Sequence, residues 1–304
     1  MEFGLVLTQF TDRWDHVVAD ARLAEEAGLD SVWLVDHLLS VRDPQGPVLE
    51  AWTALAAVAA LTERVRLGHL VNCVSFRNPG LLAKMAATLD HISGGRLDLG
   101  LGAGWYEAEY RAFGWDFPSA ADRRRYFEAY LEALVRLLSG EEVSYDRNGV
   151  HLEAAVINPP PLQRPHPPIV VGAARPHMLA ITGRLADEWN CPAGLLPHLE
   201  EPQAAVRRSA GGREVRTSIQ VPVAVGRTPE EAAAAHSVAA THLAWMGDID
   251  EVGIVGTLDA ASERVEAYRR RGVSRLLASV PGTRMRPEFI AAYGQLARQI
   301  RQMR

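Results

Sequence analysis

Eight short apolar, β-prone runs recur along the chain, and segments with helical patterning separate them. This alternation constrains the fold more than any other feature. The runs are FGLVLTQ (3–9), SVWLVDH (31–37), VRLGHLVN (65–72), LDLGLGAG (97–104), PIVVGA (168–173), DEWNC (187–191), SIQVPVAVG (218–226) and SRLLASVPG (274–282). Runs this apolar are buried on both faces, as in parallel strands covered by helices. Eight of them in 304 residues predict an α/β chain folded as a single (β/α)8 TIM barrel over 1–304, rather than an open doubly wound sheet. Two excursions interrupt the alternation. The segment 140–167 ends in NPPPLQRPHPP and reads as a hairpin plus a proline-rich stretch between the fourth and fifth strands. A second insertion is expected after the seventh strand, about 245–257. Excursions of this kind build lids in barrels.

Composition narrows the class of protein. With 48% apolar and 23% charged residues, the chain is globular, not disordered, collagen-like or disulfide-stapled. A net charge of −5 gives no electrostatic footprint for nucleic acid or an anionic membrane. Cys73 and Cys191 match no ligand spacing, so no metal site is expected. The first residues lack the marks of a secretory signal, and the apolar stretch Ala51–Leu61 is too short to span a bilayer. A cytoplasmic enzyme is the expectation. Lys84, the only lysine, lies inside a helical segment, which leaves no evident residue for Schiff-base or P-loop chemistry.

In a barrel, residues just past the C-terminal ends of the strands converge on the active site. Asp36 and His37 follow the second strand, and a histidine there either exchanges protons with a ligand or caps the strand. Asn72, Cys73 and Ser75 follow the third as candidate contacts, or form a plain strand terminus. LGLGAGWYEAEY carries glycines that permit close backbone approach, without the complete dinucleotide fingerprint. Glu107 and Glu109 follow as candidate acids, although the first turn of a helix favours glutamate on electrostatic grounds alone, which is the preferred reading for Glu109. Gly172, Ala173 and Ala174 precede a helix beginning near Arg175, and small residues there let backbone N–H groups face a phosphate or pack strand on helix.

Three blocks resemble the bacterial luciferase-like flavin and deazaflavin oxidoreductases: AEEAGLDSVWLVDH, the stretch from ERVRLGHLVNCVSFRNP to GLGAGWYEAEYRAFG, and PPPLQRPHPPIVVGAARPHM with its continuation to DEWN. The resemblance covers 1 to about 192 strongly, and within the family points to the branch using coenzyme F420. It implies a barrel with the tricyclic ring at its C-terminal mouth, hydride transfer to or from a small organic substrate, and a homodimer through helices near the second and third strands, with 51–61 as a candidate surface. His37 then corresponds to the catalytic strand-end histidine, and Asp36 to a cofactor contact. Leu70–Val71 corresponds to the bulge, often a non-prolyl cis peptide, that backs the ring. Asn72 and Cys73 lie along the ring's polar edge, Ala103 and Gly104 by the cofactor tail, and Gly172, Ala173, Ala174 and Arg175 at its phosphate. Trp14, Trp105 and His177 are candidate substrate-pocket residues.

Two departures from the family pattern matter. Some relatives carry a catalytic glutamate where this chain has Trp105, and the phosphate loop reads GAAR instead of being glycine-rich. An FMN-dependent monooxygenase using reduced FMN and O₂ is the alternative reading on the same barrel. A non-catalytic ligand-binding barrel is the third.

Overall fold

The computed structural model describes residues 1–280 and 287–303. Its strands are β1 (Glu2–Val6), β2 (Ser31–Leu34), β3 (Arg66–His69), β4 (Asn72–Cys73), β5 (Leu97–Gly102), β6 (Val143–Arg147), β7 (Val150–Ala155), β8 (Ile169–Gly172), β9 (Glu188–Cys191), β10 (Arg216–Gly226), β11 (Ile254–Thr257) and β12 (Arg275–Ser279). The helices are α1 (Trp14–Glu26), α2 (Ala51–Leu61), α3 (Pro79–Ser93), α4 (Glu107–Ala112), α5 (Ala120–Leu138), α6 (Pro176–Leu185), α7 (Glu200–Ser209), α8 (Pro229–His242), α9 (Ile249–Val252), α10 (Leu258–Arg270) and α11 (Pro287–Gln302). Strands β1, β2, β3, β5, β8, β9, β10 and β12 pair in that order, all parallel, and β12 pairs back to β1. The eight apolar runs are therefore the eight strands of a closed (β/α)8 barrel. Residues 281–282 of the last predicted run lie outside the described residues.

Burial on both faces explains the continuous apolar runs. Inside the barrel, Trp33, Leu70, Val170 and Leu277 form one cluster. A much larger cluster fills the layer between strands and helices. Trp33 occupies the barrel interior only because its neighbour across the sheet is Gly68. A Cβ on Gly68 would fall 2.3 Å from the indole, so no side chain fits there.

The N-terminal ends of the strands close on charge. Arg275 is 2% exposed and reaches Glu2 at 2.7 Å, Asp98 at 3.1 Å and Glu188 at 3.3 Å. Arg66 adds a 2.6 Å bond to Asp98. Buried carboxylates of this kind persist only when paired, and their pairing seals the barrel floor. The opposite end stays open for a site.

Both expected excursions are present in structured form. Strands β6 and β7 make an antiparallel hairpin, followed by cis peptides at Asn158–Pro159 and Arg164–Pro165. The 245–257 segment adds α9 and β11, and β11 pairs with the outer half of β10, from Val223 to Gly226. Strand β10 runs on past the barrel, and β11 covers its exposed edge. After β9, the connection is divided into a 3₁₀ turn at Ala193–His198 and then α7. Pro197, inside that turn, disfavours a continuous helix.

Candidate active site

The C-terminal ends of the strands surround a cavity of about 400 Å³. From the second strand, Asp36 and His37 line it. His37 Nδ1 lies 3.0 Å from both Oε1 and Oε2 of Glu109. Glu109 is 2% exposed, and its Oε1 also accepts from the backbone N–H of Leu38 at 2.6 Å and of Leu39 at 3.0 Å. A carboxylate only accepts, so Nδ1 carries the hydrogen and Nε2 is the basic nitrogen of the neutral ring. First-turn electrostatics account for a glutamate at 109, but the fold gives it a second task. It fixes the ring orientation of His37 and the path of the chain after it.

Asp36 supports the wall rather than offering a free carboxylate. Its two oxygens receive Arg77 at 2.8 and 3.1 Å, and one also accepts the Cys73 N–H at 2.9 Å. Burial pushes its carboxyl upward from the usual range, and the Arg77 guanidinium opposes that shift. Arg77 also reaches Glu50 at 2.9 Å, while Glu50 caps α2 through the Trp52 and Thr53 N–H groups. This chain of bonds ties the ends of β2 and β4 to the start of α2.

The third strand bends at the Leu70–Val71 cis peptide and resumes as β4. Leu70, Val71, Asn72 and Cys73 all line the cavity. The side chain of Val71 nests among glycines: a Cβ at Gly102 would come within 2.7 Å of it, and one at Gly172 within 3.2 Å. The bulge therefore forms a closely backed apolar wall. Asn72 is fully buried, accepting from Trp52 Nε1 at 2.6 Å and donating to the Gly100 carbonyl at 2.8 Å. Burial raises the Cys73 thiol to about 11, and its Sγ sits 3.2 Å from the Tyr110 hydroxyl. Such a thiol is a small neutral wall group rather than a nucleophile.

Ala103, Gly104 and Trp105 line the cavity beyond β5. Gly104 has φ +77°, and a Cβ there would lie 1.9 Å from the Tyr110 hydroxyl oxygen. Gly172, Ala173, Ala174 and Arg175 line it beyond β8, with Arg175 just before the first residue of α6. Arg175 is the single lysine or arginine on the cavity wall among the described residues.

Two expected pocket residues lie elsewhere. Trp14 opens α1 and packs, partly buried, against the core, because the first turn of that helix turns it toward the strand–helix layer. His177 is exposed on α6, and the next residue, Met178, lines the cavity instead. Tyr106, Glu109, Tyr110, Asn190 and Gln220 also line it and were not singled out as pocket residues from the sequence. Gln220 lies within an apolar strand run, where a polar residue was the available signal, whereas Asn190 follows Asp187 and Glu188 in DEWNC and nothing local marks it out.

Residues 1–286 match the family model described as luciferase-like monooxygenase. The chain is similar to an F420-dependent glucose-6-phosphate dehydrogenase of Kineococcus radiotolerans, 33% identical over 69% of this chain and 64% of that one. It is also similar to an F420-dependent hydroxymycolic acid dehydrogenase of Mycobacterium tuberculosis, 32% identical over 61% of this chain and 51% of that one. The aligned stretches thus span less than two thirds of either dehydrogenase. Among solved structures, the monooxygenase RslO1 from Streptomyces bottropensis superposes with a TM-score of 0.81 at 26% identity, covering 98% of both chains.

Proposed function

This chain belongs to the luciferase-like monooxygenase family, and on that premise we propose that it is an F420-dependent oxidoreductase acting on a small organic substrate. The observation that carries the reading is the His37–Glu109 pair at the mouth of a cavity with an apolar wall at Leu70–Val71 and the cation Arg175. The names of the two dehydrogenase relatives favour F420 over FMN.

The residues present fit a flat ring with an anionic tail. Leu70 and Val71 would back the ring, and their close seating against Gly102 and Gly172 keeps that wall from yielding. Ala103 and Gly104 allow backbone approach on one side. The small residues Gly172 to Ala174, the start of α6 and Arg175 would receive a phosphate. When bound, the deazaflavin supplies hydride exchange at its C5 carbon. The chain supplies the proton inventory. His37 Nε2 gives or takes the proton that accompanies the hydride, and Glu109 holds the imidazole in the tautomer that leaves Nε2 available. Asp36, Arg77 and Asn72 act at one remove, by fixing the backbone that shapes the ring wall.

A homodimer through α2 belongs to the same reading. Leu61 on α2, with Leu81 and Ile92 on neighbouring α3, is between 42% and 51% exposed, and exposed apolar side chains of this kind suit contact with a second copy. Among the described residues no helix is long and apolar enough to cross a membrane, and a cytoplasmic location completes the proposal.

Equilibrium titration of the purified protein with F420 and with FMN tests the cofactor. Micromolar F420 binding with much weaker FMN binding is expected. Preference for FMN would move the chain to oxygen-dependent chemistry, and binding of neither would remove the cofactor reading.

A further inference from the structure

We infer that the substrate is a neutral, apolar ring compound bearing one carbonyl or carbinol group, held against the indole of Trp105. This rests on the F420 reading above and names the substrate class for that site. Trp105 is 63% exposed, a large apolar side chain left in solvent on the rim of the cavity it lines. Its ring stands 5.7 Å from that of His37, nearly perpendicular at 83°. Tyr106 lies 5.4 Å from Trp105 and 6.1 Å from His37. The three rings make an aromatic corner beside the proton-transfer group. A molecule whose reacting carbon lies next to His37 rests its body on that corner.

The charged groups around the cavity point the same way, because the scaffold already engages them. Asp36 holds Arg77 and the Cys73 N–H, and Glu109 holds His37, Leu38 and Leu39. Asn72 bonds Trp52 and Gly100, Asn190 donates to Ser218 Oγ, and Gln220 donates to Ser279 Oγ. Glu107, beside the aromatic corner, is paired with Arg111 at 2.6 Å. The wall cation Arg175 stands at the turn that would receive the cofactor phosphate. Among the described residues this leaves no second cation for a phosphorylated substrate and no unpaired carboxylate for a cationic one. His37 serves one oxygen function. In the oxidising direction the carbinol carbon loses hydride to the oxidised deazaflavin, while its hydroxyl loses a proton to His37 and the C=O bond closes. Reduction reverses both transfers.

The test is equilibrium dialysis of acetophenone and of glucose 6-phosphate against the F420-loaded protein and its Trp105→Ala and Trp105→Phe variants. Trp105 is too exposed for its loss to threaten folding, and circular dichroism checks this. Expected are acetophenone binding with little retention of glucose 6-phosphate, about tenfold weaker acetophenone binding in W105A, equivalent to about 1.4 kcal/mol, and near-complete recovery in W105F. Tighter retention of glucose 6-phosphate, or acetophenone binding that is absent or indifferent to Trp105, overturns the substrate class while the cofactor reading stands. Failure of F420 itself to bind overturns both.

Discussion

His37 Nδ1 lies 3.0 Å from each carboxylate oxygen of Glu109, across a separation of 72 residues. The pair joins the end of β2 to the first turn of α4 and sets which imidazole nitrogen faces the ligand. Replacing His37 by Ala should lower kcat by about 10²-fold or more, with F420 affinity within about tenfold of the parent. Glu109→Gln keeps the size but allows the amide to donate as well as accept, so the tautomer is no longer fixed. Its kcat should fall by about tenfold to 10²-fold with little change in F420 affinity. Steady-state kinetics beside a fluorescence titration decide this. Unchanged turnover in His37→Ala would remove its assigned role.

Two glycines of nearly the same backbone conformation separate strain from crowding. Gly104 has φ +77° and Gly114 φ +82°. A Cβ at Gly104 meets the Tyr110 hydroxyl and Cys73 Sγ, whereas one at Gly114 meets nothing within 4 Å. Gly114→Ala should cost only the left-handed backbone penalty, about 1–2 kcal/mol. Gly104→Ala should cost clearly more, by a further ~1–3 kcal/mol for displacing Tyr110, and should weaken F420 binding. Denaturant titration of both variants measures the difference, and equal losses would rule out the close approach as its source.

Asp20 makes stability depend on pH. It is 7% exposed on α1, its Oδ1 has no hydrogen-bond partner, and burial raises its carboxyl from 3.8 to about 6. A folded-state value above the unfolded one gives stability that is fully present below about 4 and lost as pH rises through about 6. The full loss is roughly 2–3 kcal/mol. Asp20→Asn should therefore be more stable than the parent at pH 8 by about 1–3 kcal/mol, with the gain vanishing near pH 4. Thermal or urea unfolding at the two pH values checks the sign, and a gain independent of pH would show that the carboxyl does not titrate this way.

The strand runs were legible because burial on two faces leaves a local mark, an uninterrupted apolar stretch of strand length, and parallel closure follows from their alternation with helices. Asp36, His37, the 70–73 bulge and the 172–175 turn were legible for a related reason. A barrel sends strand ends to one mouth, so position in the chain implies position in space. Trp14 fails this rule because it lies in the first turn of a helix rather than at a strand end, and which way that turn faces is a matter of packing. Asp36 was legible in place but not in task, since the sequence does not say that Arg77 and the Cys73 N–H would take up its carboxylate.

Glu109 shows the boundary most plainly. A glutamate in a first helical turn is favoured by the helix dipole whatever else it does, so nothing local distinguishes a surface acid from a buried partner of His37. Closure of β2 beside β3 and β5 brings α4 over the residues after β2, and only then does the carboxylate lose its water and gain three donors. Trp105 is the converse, an indole that composition would send to the core and that the turn after β5 leaves in solvent. The sequence alone determined the barrel, the end of it that carries the site, and the segments that line that end, because those depend on periodicity and chain order. Only the tertiary structure decided which side chains there are paired and which remain for a ligand, because pairing depends on contacts between residues far apart in the chain.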